Sequence, residues 1–190
     1  MFSPASERKS FVIDDLRVNK IKDLAREQIY PAPYVGQEKR DIKALSADEM
    51  TQYLAGGGMG FARAAELNRY PGPMHALELA DKLALTAEQR MATEKLMAAH
   101  KAEARAIGAK LVQAERVLDQ LFAHSTVNEI ELAQQVRAVA ALQGEFRLAH
   151  LETHRRLRPL LTETQVARYV ELRGYTAGRS DADQHKHFKH

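Results

Sequence analysis

A chain of 190 residues, 45% hydrophobic and 28% charged, has the balance of a folded domain. It holds no cysteine and no tryptophan, which excludes a disulfide framework, a thiolate nucleophile and any cysteine-ligated zinc or iron–sulfur centre. A net charge of +3 and 6% aromatics supply neither the focused basic patch nor the stacking residues of nucleic-acid binding, and no apolar run reaches the ~20 residues of a membrane span.

Residues 1–35 read as a polar N-terminal arm. Phe11-Val12-Ile13 runs directly into Asp14-Asp15, so the arm lacks the apolar stretch of a secretory signal peptide. Residues 36–73 hold the cluster Gly56-Gly57-Gly58-Met59-Gly60 and the Pro71-Gly72-Pro73 turn, and read as short helices and loops. The glycine cluster follows no strand and lacks the downstream Lys-Ser/Thr of a phosphate loop, so it reads as a flexible connection. From Met74 to Arg158 there is no proline, and Ala, Leu, Glu, Gln and Arg dominate. No two-residue alternation survives there. The predicted fold class is all-α, with a helical domain over 36–173 and a flexible, histidine-containing tail over 174–190.

Capping signals place the helices. A first helix runs from about Met74 to Lys82. Thr86 with Gln89 forms a capping box that opens a long helix near Ala87, ending near Ala123. Thr126 with Glu129 is a second box, opening a helix that ends near Pro159. Thr162 with Gln165 is a third, opening a short helix that stops at Gly174. The short link His124-Ser125-Thr126 makes the two long helices an antiparallel hairpin.

Their apolar seams follow a 3–4 step. One reads Met97, His100, Ala104, Ile107, Leu111, Ala114, Leu118, Leu121; the other Leu132, Val136, Val139, Gln143, Phe146, His150, Thr153, Leu157. In such a hairpin, facing residue numbers add to roughly 250. Leu118 then meets Leu132, Ile107 meets Gln143, and His100 meets His150. Gly108 and Gly144 fall nearly opposite. Either they let the long helices approach closely, or each weakens its helix by up to about 1 kcal/mol.

His150 and His154 share a helical face, their Cβ atoms about 5–6 Å apart, as metal-binding imidazoles on one helix do. The alternative is a pair of solvated histidines beside Arg155 and Arg156. The pairing arithmetic brings His100 to His150 independently. Met97 lies one turn earlier, as packing or as a soft thioether ligand, and Glu94 and Glu103 stand within a turn or two, as carboxylate ligands or as solvated groups. His185, His187 and His190 in the tail either scavenge metal or are simply solvated. Arg147, Arg155, Arg156, Arg158 and Arg168 make one end of the hairpin basic, a surface for anionic partners or a solvated face. No catalytic motif is present, and the chain reads as a non-enzyme.

Leu85-Thr86-Ala87-Glu88-Gln89 and Leu161-Thr162-Glu163-Thr164-Gln165 are two LTxxQ motifs, 76 residues apart, each opening a helix. Two such motifs bracketing a helical hairpin resemble the Spy/CpxP family. The run from Gly58-Met59-Gly60 through Pro71-Gly72-Pro73 to His75-Ala76-Leu77-Glu78-Leu79-Ala80 resembles its heavy-metal-sensor branch. The resemblance covers about residues 33–173. It implies a four-helix, homodimeric, periplasmic stress-response protein that either senses nickel, cobalt, zinc or copper or acts as an ATP-independent chaperone for unfolded clients. Partners would then be a second copy, a membrane-bound signalling protein or a client. His75, Glu94, His150 and His154 fall at roughly the positions of the family's metal ligands. Leu79 stands where a second histidine would follow His75. The missing signal sequence leaves a cytoplasmic helical adaptor as a further expectation.

Overall fold

The computed structural model describes residues 32–125 and 127–175 and divides the chain into two units, Met1–Glu38 and Lys39–His190. In the first unit, residues 32–38 form turns in which the Val35 N–H donates to Ala32 O and the Gln37 N–H to Tyr34 O. The remainder of the expected arm, and the tail from residue 176 with its three histidines, lie outside the described residues.

The second unit is all-α. Its described residues form α1 (Ala47–Ala55), α2 (Arg63–Glu66), α3 (Pro73–Glu78), α4 (Ala87–Ala123), α5 (Glu129–Leu157) and α6 (Glu163–Leu172), with a 3-10 turn at Arg158–Leu160 and no strand. No described helix is long and apolar enough to cross a membrane. The 37 residues of α4 extend about 55 Å, and α5 runs antiparallel to it. Gln135 donates to the Ala114 carbonyl at 2.6 Å and His100 meets His150, matching the predicted register.

The boundaries show which local signals won. Thr86 and Thr162 cap α4 and α6 as capping boxes, each closed by the glutamine three residues on. Ser46 and Glu49 make a third box at α1. At α5 the cap is Asn128, whose side chain accepts from the Glu131 N–H, so the helix opens two residues later than a Thr126 cap would place it. Asn outranks Thr as an N-cap, and Thr126 itself lies outside the described residues. Helix α3 ends at Glu78 and not near Lys82, because residues 79–84 tighten into turns that end with Ala84 at φ +48°. Helix α5 stops at Leu157, and Pro159 is accommodated in the 3-10 turn.

The two LTxxQ motifs meet. Gln89 and Gln165 exchange hydrogen bonds, each Nε2 donating to the other's Oε1 at 2.9 and 2.8 Å. Gln89 also donates to Leu160 O at 2.8 Å, and Gln165 to Ala84 O at 3.3 Å, two equivalent carbonyls that each lie two residues before the other motif's Thr cap. Each glutamine therefore closes its own helix and ties down the turn leading into the other. Leu161 is buried and Leu85 packs against the same cluster.

Two apolar cores flank the middle of the hairpin. One gathers Ile42, Leu45, Tyr53, Leu111, Val112, Val139 and Phe146 between α1 and the hairpin. The other gathers Ala76, Leu83, Leu157, Leu161, Val166 and Tyr169 at the open end. Of the predicted seam, Gln143 and Val136 are exposed, because α1 covers one side of the hairpin and draws Val112 and Glu115 into burial instead. Gly108 serves a close approach, but to α1: a Cβ there would stand 2.0 Å from Tyr53 O, whereas one at Gly144 would meet nothing within 4 Å.

Candidate functional site: a histidine- and methionine-lined cleft

Where α1 ends, the chain turns through Gly56-Gly57-Gly58-Met59-Gly60 over the middle of the hairpin. Gly56 takes φ +69° to cap α1, and a Cβ there would press on Ala104 at 3.1 Å, so only glycine lets the loop lie this close to α4. Together with α2, the start of α3, and Arg173 and Tyr175 just after α6, the loop encloses an open cleft of about 680 Å³ against α4 and α5. The sequence-predicted residues His75, Met97, His100, His150 and His154 all line it. Glu94 does not; it stands exposed on α4.

The histidine geometry is specific. His150 is 4% exposed and its Nδ1 lies 2.8 Å from Phe146 O. A carbonyl only accepts, so Nδ1 carries a proton, and in the neutral ring Nε2 is then the nitrogen with the lone pair. That Nε2 is buried with no hydrogen-bond partner. His154 repeats the pattern across elements, with Nδ1 2.8 Å from Tyr70 O. His100 is 8% exposed and meets the His150 ring edge-on, with centroids 4.5 Å apart. The Ala149 main chain supports the His100 ring, whose Nδ1 is buried without a partner. Burial, followed by the neighbouring His150 and His154, holds its imidazole down to about 4, so it is neutral at physiological pH. Phe146 packs on His150 at 4.7 Å and on Tyr53 at 5.1 Å, which joins this pair to the first core. His75 is engaged locally, its Nδ1 2.9 Å from Glu78.

One wall carries a carboxylate that sequence reasoning missed. Glu66 Oε1 accepts from the Tyr169 hydroxyl at 2.6 Å and from Tyr175 at 3.0 Å, with Arg173 Nε at 3.4 Å. Its Oε2 lies 3.6 Å from His154 Nδ1. Tyr169 is fully buried, accepts from the Gly72 N–H at 3.2 Å, and has its phenol pushed upward by burial and then by Glu66. No local pattern around Glu66 marks it, since its partners are about a hundred residues away.

Met59, Met74 and Met97 also line the cleft. Met59 sits at φ +45° between two glycines, a backbone region that costs a non-glycine residue about 1–2 kcal/mol. Among the described residues, no three His, Asp or Glu side chains converge closely enough to hold one metal ion.

The expected basic end of the hairpin is largely neutralised. Arg155 and Arg156 both bind Glu152 and hold its carboxyl down to about 2. Arg158 pairs with Glu163 and Arg168 with Glu171. No protein-family model, curated protein or solved structure matches the chain.

Proposed function

We propose that the protein binds a transition-metal ion in this cleft, as the resemblance to the heavy-metal-sensor branch of the Spy/CpxP family implies. One observation carries the reading. Two imidazole nitrogens, His100 Nδ1 and His150 Nε2, are buried in one place without a partner, and the other ring nitrogen of His150 is fixed on a main-chain carbonyl. A buried polar atom left unpaired is costly, and an imidazole oriented through its second nitrogen is how metal-ligating histidines are prepared. His154, oriented by Tyr70 O in the same way, and Met97 complete the nearby donors. Since no three His, Asp or Glu ligands converge among the described residues, these residues fit an ion held by few imidazoles together with sulfur. Such an ion would cross-link the hairpin to the loop and turn that cover it. The sensor role, the homodimer, a membrane-bound signalling partner and a periplasmic location follow the same resemblance and form part of this proposal.

Thermal unfolding tests the metal reading. Zinc, nickel, cobalt and silver, each titrated into the full chain with His185, His187 and His190 replaced by alanine, should include at least one ion that raises the melting temperature progressively with free concentration. His150→Ala/His154→Ala should abolish the rise. A parent protein that no ion stabilises overturns the reading.

A second reading, an ATP-independent holdase, is favoured by the exposed apolar side chains Met91, Phe122, Ile130, Val136 and Leu148 along the hairpin. It requires suppression of client aggregation that persists in chelator.

A further inference from the structure

The donor inventory of the cleft points to the class of ion. We infer that the site takes a soft monovalent cation, copper(I), and that Met59 and Met97 are thioether ligands acting with His150. The inference rests on the metal reading above and deepens it.

The harder alternatives lack ligands here. Zinc, nickel and cobalt seek four or more nitrogen, oxygen or thiolate donors. The chain has no cysteine. Among the described residues, Glu66 is the one carboxylate in the cleft lining. Its Oε1 is taken by two phenols and faces Arg173, while Oε2 lies beside His154. No three His, Asp or Glu side chains among the described residues meet at a point. Copper(I) needs none of this. It accepts a low coordination number and prefers thioether sulfur and imidazole, and the cleft is lined both by methionines and by His150, whose Nε2 is buried without a partner.

The backbone of the loop supplies an independent argument. Gly58 does not occupy the left-handed region, and a Cβ there would meet nothing within 4 Å, so glycine is not required at that position. The next residue does take positive φ, and it is Met59. The loop thus carries a long sulfur-bearing side chain where glycine would be unstrained. Arg69, Ala84 and Ser125 also take positive φ, but among these four Met59 is the one that lines the cleft, where retained strain fits a side chain kept for its chemistry.

Silver(I), a redox-inert stand-in for copper(I), is the probe. Calorimetric titration into the full chain with the three tail histidines replaced by alanine should give one tight site, with zinc at least about tenfold weaker. Met59→Leu/Met97→Leu keeps the apolar volume and removes both sulfurs. It should lower silver affinity at least about tenfold and leave the circular dichroism spectrum unchanged. In protein labelled with 13C at the methionine methyls, silver should shift Met59 and Met97 and leave Met50 and Met91 in place, a readout that does not depend on the variant folding. Unchanged silver affinity in the double variant, or methyl signals of Met59 and Met97 that do not respond, overturns the thioether assignment. Zinc binding that needs His150 and His154 and exceeds silver binding overturns the soft-ion inference while the metal reading stands. No binding of either ion overturns both.

Discussion

Replacing Gly108 by alanine tests how α1, and with it the roof of the cleft, is seated on α4. Alanine in mid-helix normally gains about 1 kcal/mol over glycine, and a reading confined to the helix predicts that gain. The three-dimensional arrangement reverses the sign. The new Cβ would lie 2.0 Å from Tyr53 O and 2.7 Å from its carbonyl carbon, both of them backbone, and 3.3 Å from the Phe146 ring. Bringing the closest contact to 3.0 Å requires α1 and α4 to part by about 1 Å, near the buried Tyr53. Overpacking of this kind costs about 1–3 kcal/mol, occasionally more. The displacement would also separate Gly56 from Ala104 and open the loop that carries Met59. Gly144→Ala is the internal control, because nothing stands within 4 Å of its Cβ, and it should gain close to the full 1 kcal/mol. Set against the helix gain, the net loss is up to about 2 kcal/mol; in thermal melts followed by circular dichroism, Gly108→Ala should lower the midpoint by up to about 8 °C, and Gly144→Ala should raise it by about 2–4 °C. A Gly108→Ala protein stabilised as much as Gly144→Ala would refute the close approach of α1 to α4.

Two further outcomes follow from the same contacts. Gln89→Ala and Gln165→Ala should each destabilise by about 1–2 kcal/mol through the lost cap and the orphaned carbonyls, and the double variant should fall short of their sum by at least about 0.5 kcal/mol, measured as a urea-unfolding double-mutant cycle. Glu115 is buried on α4, and burial pushes its carboxyl above the ordinary glutamate value of 4.5; the folded state therefore holds this proton more tightly, and the group costs stability as pH rises above 4.5. Glu115→Gln should raise the melting temperature at pH 7, and the gain should vanish below pH 4.5, where both states of the parent are protonated.

The hairpin was legible because its signals are local. Thr86 and Thr162 each precede a glutamine at the capping-box spacing, and the 3–4 seam set the register closely enough to bring His100 onto His150. The start of α5 was misplaced because Thr126 and Asn128 compete as caps only two residues apart. For Gly108 the two alternatives read from the hairpin, close approach to α5 or a weakened helix, both left out α1, which comes from a region whose packing no periodicity announces. Glu66 and Tyr169 escaped for the same reason, being 103 residues apart. The glycine cluster read as a flexible connection from composition. Its role as the roof of a cleft, with Met59 in the left-handed region, emerges only once α1 is docked.

The central claim, that this cleft holds a metal ion, is tested most directly by anomalous X-ray scattering. Crystals of the full chain would be loaded with whichever ion raises the melting temperature most, and data collected at that ion's absorption edge. One strong anomalous peak is expected in the cleft, within bonding distance of His150 Nε2. A well-ordered cleft without a peak, with the metal found only on the tail histidines, would contradict it.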